Sequence, residues 1–137
     1  MSREELKELS RIRIKEAKVL LDNKFYDGAY YLSGYSVECA LKACIAKNTK
    51  RYDFPDKKVA IESHTHELLK LVKIAGLEID LKKKLDLEPQ FQLNWAIVKD
   101  WSEITRYKRN SVLDARDLYS AITNRSNGIM KWIRERW

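Results

Sequence analysis

The sequence contains few of the residues that interrupt helices or form disulfides. Its 137 residues include four glycines, two prolines and two cysteines. Because all-β folds need frequent turns, so few glycines and prolines are more typical of long helices. Cys39 and Cys44 lie five positions apart, which on one helix points them in different directions and too far apart for a disulfide. We therefore interpret them as two reduced core thiols of a cytoplasmic protein.

The sequence also lacks a run of apolar residues long enough to span a membrane, and its first ten residues, MSREELKELS, are too charged for a signal peptide. A membrane is therefore not an expected partner. The only histidines are His64 and His66, and neither has metal-ligand spacing to a cysteine. No metal and no other cofactor are expected.

Positive charge is in excess. The chain has 27 Lys and Arg against 20 Asp and Glu, a formal charge of +7, and 45% hydrophobic residues. The hydrophobic content predicts a folded core rather than disorder, and the length fits a single domain over residues 1–137. The charge favours an anionic partner, namely RNA, DNA, a nucleotide or an acidic protein.

Apolar periodicity predicts an all-α chain of four long helices and one or two short ones, packed as an antiparallel up-and-down bundle. The first helix begins at the capping-box pair Ser2 and Glu5 and ends near residue 22. The second covers residues 26–47 and carries a stripe of small side chains that allows a neighbouring helix to approach closely: Ala29, Ser33, Ser36, Ala40 and Cys44.

Residues 48–62 are predicted to form a loop. The third helix then follows, capped by Ser63 or Thr65 and ended by Gly76, and a short helical turn is expected over residues 79–85. The fourth helix is predicted over residues 89–107, starting at a proline. The last begins after the capping-box pair Ser111 and Asp114, and whether it continues through Asn127-Gly128 stays open.

The second helix also resembles a known family. Residues 25–43, FYDGAYYLSGYSVECALKA, resemble the second-helix pattern of HEPN domains: an aromatic and an alanine, then Gly-Tyr, then Glu-x-x-Leu-Lys-Ala. Three shorter matches follow in the same order, Thr65-His-Glu-Leu68, Thr105-Arg-Tyr107 and Asp114-Ala115. Together they cover nearly the whole chain.

The resemblance implies a bundle of about five helices, a homodimer and association with nucleotides or RNA. Many HEPN domains act beside a small nucleotidyltransferase, commonly as toxin and antitoxin. Others are metal-independent RNases whose active motif is Arg, four to six residues, then His, near the start of the last helix. No arginine of this sequence has a histidine at that distance. The resemblance therefore does not predict nuclease activity here, and no catalytic residue is assigned.

The residues expected to bind an anionic ligand are Arg106, Tyr107 and Arg109, positioned by Glu38 and Lys42. Arginines hold phosphate through paired hydrogen bonds, and tyrosine can stack on a base. A structural alternative stays open for each group. Arg106 could cap its own helix while Tyr107 packs between helices, and Glu38 and Lys42, four apart, could form a simple ion pair.

Other polar and aromatic side chains have structural interpretations. His66 is expected at the start of the third helix or packed in the preceding loop. Tyr26, Tyr30, Tyr31 and Tyr35 are expected in the core or at a dimer seam.

The sequence thus predicts a non-catalytic HEPN-type module for a nucleotide, RNA or a nucleotidyltransferase. One alternative is a rewired metal-independent RNase toxin with Tyr107 or Asp114 near the missing base. Another is a structural adaptor for an acidic protein.

Overall fold

The computed structural model describes residues 1–48 and 57–137, apart from the side chains of Lys57, Lys58 and Arg106. Over these residues it contains helices and no strand, which confirms the all-α class. The two long helices come first, α1 (Arg3–Asp22) and α2 (Tyr26–Lys47), with the predicted bounds. The shorter ones are α3 (Lys57–Glu62), α4 (Leu68–Ile74), α5 (Glu78–Leu87), α6 (Pro89–Val98), a 3-10 helix (Glu103–Tyr107), α7 (Val112–Thr123) and α8 (Ile129–Arg134).

Helices α1 and α2 form the framework of the molecule. The predicted capping box starts α1, since the Ser2 hydroxyl accepts from the Glu5 N–H and the Glu5 carboxylate accepts from the Ser2 N–H. A short turn, with Lys24 in the left-handed region, then returns the chain along α1. All five small residues of the predicted stripe on α2 are buried. Close packing there lets the buried Ser10 hydroxyl donate to the Ser36 carbonyl at 2.8 Å.

The segment after α2 differs from the prediction in two ways. Residues 49–56 of the predicted loop lie outside the described residues, but its last part is helix α3 rather than loop. Helix α4 is not capped by Ser63 or Thr65 as predicted: its N-cap residue is Glu67, without a side-chain cap. The Thr65 hydroxyl accepts from the Glu67 N–H instead, which satisfies a local turn.

The C-terminal end of α4 follows the prediction. Gly76 stands just beyond it at φ 75°, the left-handed conformation that glycine adopts most easily. The short turn predicted over residues 79–85 is the longer helix α5.

The predicted fourth helix consists of two helices separated by a break. Helix α6 ends at Val98, and the chain continues as the 3-10 helix after the extended residue Ser102. The break turns Trp101 into the core, against α2. Gly34 makes the space, because a Cβ atom there would lie 2.2 Å from the Trp101 ring atoms. Burial of this large indole ring stabilises the broken arrangement.

The last helix is also interrupted, which answers the question that the sequence left open. Helix α7 begins with the predicted Ser111–Asp114 capping box and ends at Thr123. The Asn124 side-chain oxygen accepts from the N–H groups of Ser126 and Asn127 and so shapes the break. Helix α8 then places four apolar side chains in the core, Ile129, Met130, Trp132 and Ile133. No helix in the described parts of the chain is long and apolar enough to cross a membrane.

Candidate functional site

A buried carboxylate lies in the middle of α2. Glu38 is 2% exposed and is surrounded by core residues of the same helix. A buried charge is costly unless it is paired and hydrogen-bonded. Each of its oxygens has a partner: Lys42 Nζ lies 3.3 Å from Oε2, and His66 Nδ1 lies 2.9 Å from Oε1. Glu38 therefore holds two basic side chains, Lys42 and His66, in position.

His66 connects three parts of the chain. It lies in the loop between α3 and α4, its Nδ1 faces Glu38, and its Nε2 lies 3.1 Å from Oε2 of Glu103, the first residue of the 3-10 helix. A neutral imidazole has one N–H, whereas the imidazolium has two. Both contacts are therefore hydrogen bonds only in the protonated ring. In that state Glu38, Lys42, His66 and Glu103 are two anions and two cations, and their charges cancel.

The outer part of this group faces solvent. The side chains of His66 and Glu103 are 40% and 44% exposed, whereas Glu38 is buried. Surface ion pairs are weak and exchange readily with water or with another ion. Glu103 is therefore the replaceable partner of the ring, and Glu38 is the fixed one.

The 3-10 helix carries the chain from Glu103 to a cationic loop. Tyr107 is 77% exposed, and Lys108 and Arg109 are exposed as well. The loop is held beyond Arg109, where the Asn110 N–H donates to Asp27 at the start of α2. It is then followed by the capped start of α7. The loop is thus anchored by its backbone while its cationic side chains stay at the surface.

The structure brings together some of the predicted binding residues. Glu38 and Lys42 form the predicted pair on α2, and the pair is partly buried rather than fully exposed. Tyr107 is the last residue of the 3-10 helix that packs against α2, and Arg109 lies two positions beyond it. The side chain of Arg106, predicted to face Glu38 and Lys42, lies outside the described residues. The binding role of all five residues stays a prediction.

Two members of the group, His66 and Glu103, were not predicted to take part in it. His66 does lie in the predicted loop, but its bridging position between Glu38 and Glu103 was not expected. A glutamate in an otherwise apolar helix was the available signal, since a buried carboxylate needs a partner from another element. Nothing in the sequence pointed to Glu103.

Three of the four tyrosines of α2 that were predicted for the core or a dimer seam pack against the core of this chain. Tyr30, Tyr31 and Tyr35 are partly buried against the core, and the rings of Tyr31 and Tyr35 stack with their centres 6.0 Å apart. The Tyr31 ring also lies 6.0 Å from the Trp101 ring. Burial raises the pKa of Tyr30 and Tyr35 above the usual tyrosine value. These hydroxyls therefore stay protonated and are no base.

Neither thiol is an activated nucleophile. Cys39 and Cys44 are buried and free, as the sequence predicted. Burial, the largest effect, raises the pKa of each thiol to about 11. The reactive thiolate is therefore scarce at neutral pH. Among the described residues there is also no group of three or more His, Cys, Asp or Glu side chains that could hold a metal ion.

Comparison with known proteins identifies the family. The model of the HEPN domain matches residues 3–136, nearly the whole chain. No curated protein matches the sequence. No solved structure matches it either. The matched range includes the Glu38–His66–Glu103 group and the cationic loop, and the chain belongs to the HEPN domain family.

Proposed function

We propose that this HEPN domain binds a nucleotide or RNA through a phosphate group, on the surface that His66 shares with the loop after the 3-10 helix. The observation that carries the proposal is the pair of hydrogen-bond contacts of His66, to buried Glu38 at 2.9 Å and to exposed Glu103 at 3.1 Å. Glu38 holds the ring in place, and the opposite nitrogen points to an anion at the surface. A phosphate oxygen would use the same donor as the Glu103 carboxylate.

The cationic loop lies within reach of that position. A 3-10 helix rises about 2 Å per residue, so Tyr107 is about 8 Å along the axis from Glu103. That is the scale of one nucleotide. Arg109 can hold a phosphate by paired hydrogen bonds, and an exposed tyrosine ring can stack on a base. Arg106 joins this group by its place in the sequence, since it precedes Tyr107.

Glu38 and Lys42 position this site rather than meeting the ligand. Glu38 is enclosed by the core, and its carboxylate is fully occupied by His66 and Lys42. Removing its charge would release the His66 ring, which would then have no fixed direction. This proposal gives the Glu38–Lys42 pair of the family pattern a physical role.

Binding to a fluorescent oligoribonucleotide and to ATP, followed at several salt concentrations, tests the proposal. Arg109→Ala should weaken oligonucleotide binding and reduce the salt slope by about 0.7. Lys83→Ala is the matched control, because it removes one exposed positive charge from α5, away from this site. Equal losses for Arg109→Ala and Lys83→Ala would mean non-specific attraction and would refute the proposed site. The same holds if neither probe binds.

The family also supports proposals about partners. We propose a homodimer and a small nucleotidyltransferase partner, in a toxin–antitoxin-like pair, on the strength of HEPN membership. Light scattering measures the first, and co-purification with a nucleotidyltransferase encoded beside this chain measures the second. A monomer at micromolar concentration, or separate elution of the two proteins, would contradict these proposals. Salt-insensitive binding to that partner without nucleotide affinity would favour a structural adaptor.

His66 also favours a second candidate function, metal-independent RNA cleavage without the family motif. A base must take the proton of the ribose 2′-hydroxyl, whose oxygen then attacks phosphorus, while an acid protonates the leaving 5′-oxygen. A histidine oriented by a buried carboxylate suits the base when Glu103 moves away. Asp114 does not, because its carboxylate caps α7 through the Ser111 N–H.

RNA degradation in EDTA tests this second candidate. Cleavage should disappear in His66→Ala and persist in His64→Ala, which changes the exposed histidine of the same loop. No cleavage by the purified wild-type protein, together with salt-sensitive binding, leaves the binding module as the function.

A further inference from the structure

A cleft on another side of the molecule has its own set of anion-binding groups. It lies between α1, α7 and α8 and has a volume of about 240 Å³. The nearly buried side chains of Ile14 and Met130 form its apolar part. Lys15 and Arg134 also line it, and no acidic residue does. It shares no residue with the Glu38–His66–Glu103 group or with the loop at residues 107–109.

The cations of this cleft have little compensation. Within residues 1–48 and 57–137, neither Lys15 nor Arg134 forms an ion pair with a carboxylate. The third cation of the lining, Lys18, is paired with Asp22 at 2.6 Å. Three cations line the cleft, and Asp22 compensates one of them, so two positive charges remain without a carboxylate partner. That number matches a dianionic phosphate monoester.

Two further cations lie beside Arg134, and each is paired with a carboxylate of α1, Arg11 with Glu8 at 3.7 Å and Lys7 with Glu4 at 3.5 Å. The guanidinium groups of Arg134 and Arg11 lie 5.4 Å and 4.9 Å from the centre of the Trp137 ring, and the Lys7 ammonium lies 5.5 Å from it. Burial, followed by the charge of Arg11, lowers the pKa of Arg134. A cation in this situation is stabilised by an incoming anion.

The cleft also offers an unused hydrogen-bond donor. Tyr119 lines it, and no hydrogen bond of the Tyr119 hydroxyl is present in the described part of the chain. The neighbouring Thr123 hydroxyl, in contrast, already donates to the Tyr119 carbonyl at 2.8 Å. Two cations without an ion-pair partner and one tyrosine thus share the lining of this cleft with apolar side chains. Sites for small molecules commonly combine an apolar lining with a few polar groups that fix orientation.

We propose that the cleft between α1, α7 and α8 is a second binding site, separate from the His66 surface, for a small organic phosphate. Lys15, Arg134 and the Tyr119 hydroxyl hold the phosphate, and the organic body lies on Ile14 and Met130. The adjoining cleft shares Arg134 and is lined by Arg125, Lys131 and Glu135, so cations outnumber the one carboxylate beyond the phosphate position.

An NMR titration of the isotope-labelled chain tests the proposal with three probes, AMP, inorganic phosphate and adenosine, at constant ionic strength. AMP should shift amide signals of α1, α7 and α8 in a saturable way. Inorganic phosphate should shift the same signals at higher concentration, and adenosine should have no saturable effect. Equal affinity for AMP and inorganic phosphate would overturn the organic-phosphate assignment. Equal affinity for AMP and adenosine would overturn the phosphate site itself.

Substitutions locate the binding. Lys15→Ala and Arg134→Ala should each weaken AMP binding about tenfold, and Tyr119→Phe about threefold. Because Arg134 also stacks on Trp137, unfolding of its variant would leave Lys15→Ala and Tyr119→Phe as the test. Lys83→Ala should have no effect, and a loss as large as that of Lys15→Ala would overturn the site.

Arg109→Ala separates this proposal from the proposed function. It removes a cation of the loop after the 3-10 helix and touches nothing in the cleft. The shifts of α1, α7 and α8 should therefore persist in that variant even when binding at the His66 surface is lost. Their disappearance would mean that the cleft is no separate site.

Discussion

Replacing His66 should destabilise the fold by removing one of two partners of a buried charge. In His66→Ala, the Oε1 atom of Glu38 loses the Nδ1 donor at 2.9 Å, and Lys42 remains 3.3 Å from the other oxygen. A hydrogen bond to a charged group contributes about 1.5–3 kcal/mol. Loss of a whole buried pair costs about 3–5 kcal/mol. Lys42 remains a partner of Glu38 in this variant, and water can reach the position that the His66 ring leaves. We therefore expect the free energy of unfolding to fall by about 2 kcal/mol.

Urea unfolding at neutral pH measures this loss. With an m-value of about 2 kcal/mol per molar, the midpoint should fall by about 1 M. His64→Ala is the matched control, because it changes the exposed histidine of the same loop and should alter stability by no more than about 0.5 kcal/mol. Equal effects of the two substitutions would contradict the assignment of His66 as a partner of Glu38.

A double-mutant cycle isolates the contact from other effects of the alanine. Glu38→Gln removes the buried charge, so His66→Ala should cost less in that background than in the wild type. We expect a coupling energy of at least about 1 kcal/mol between the two positions. Additive effects would show that the two side chains do not interact in solution.

Three further outcomes follow from the geometry. Glu103→Gln should raise affinity for oligonucleotides severalfold, measured by anisotropy, because it removes the carboxylate that competes for His66. Gly34→Ala should cost about 3 kcal/mol or more in unfolding experiments, since its Cβ would overlap the Trp101 ring. Between pH 9 and 10, stability should fall by up to about 1.4 kcal/mol per pH unit for each of Cys39 and Cys44, and this fall should be much smaller in the double alanine variant, because the buried tyrosines titrate only above pH 10.

The sign of the alkaline effect follows from the direction of the pKa shift. Burial raises the pKa of both thiols from 9.0 to about 11 in the native state. Between these values the unfolded chain loses its thiol protons while the native chain keeps them. The unfolded state then binds fewer protons, so unfolding becomes more favourable as the pH rises. The stabilising contribution is complete below pH 9 and is lost through about pH 11.

Local patterns predicted the parts of the fold that depend on neighbouring residues. The capping boxes at Ser2 and Ser111, the bounds of α2 and the glycine after α4 all use interactions that span a few positions. Such interactions are written in consecutive residues, so the sequence is sufficient to find them.

The break in the predicted fourth helix could not be found in this way, whereas Asn127-Gly128 had left the continuity of the last helix open. Apolar spacing continues from Trp95 through Val98 and Trp101, and a regular helix satisfies it equally well. Helix α6 ends before Trp101, whose ring packs into the space above Gly34. Gly34 and Trp101 are about 67 positions apart in the sequence, so no local pattern connects them. Tertiary packing overrides helix propensity there, and propensity is a weak guide wherever a large ring must be buried.

The same limit applies to the candidate site, with an added consequence for function. Glu38 and Lys42 were paired from their spacing, but spacing cannot show that Glu38 is buried and needs a donor from another element. His66 provides that donor through Nδ1, and its Nε2 atom contacts Glu103. Because the inner contact is protected from water and the outer one is not, an anion that arrives at the surface competes with Glu103 alone. The proposed ligand binding at this site would therefore require the displacement of one side chain, that of Glu103, and no change in the core.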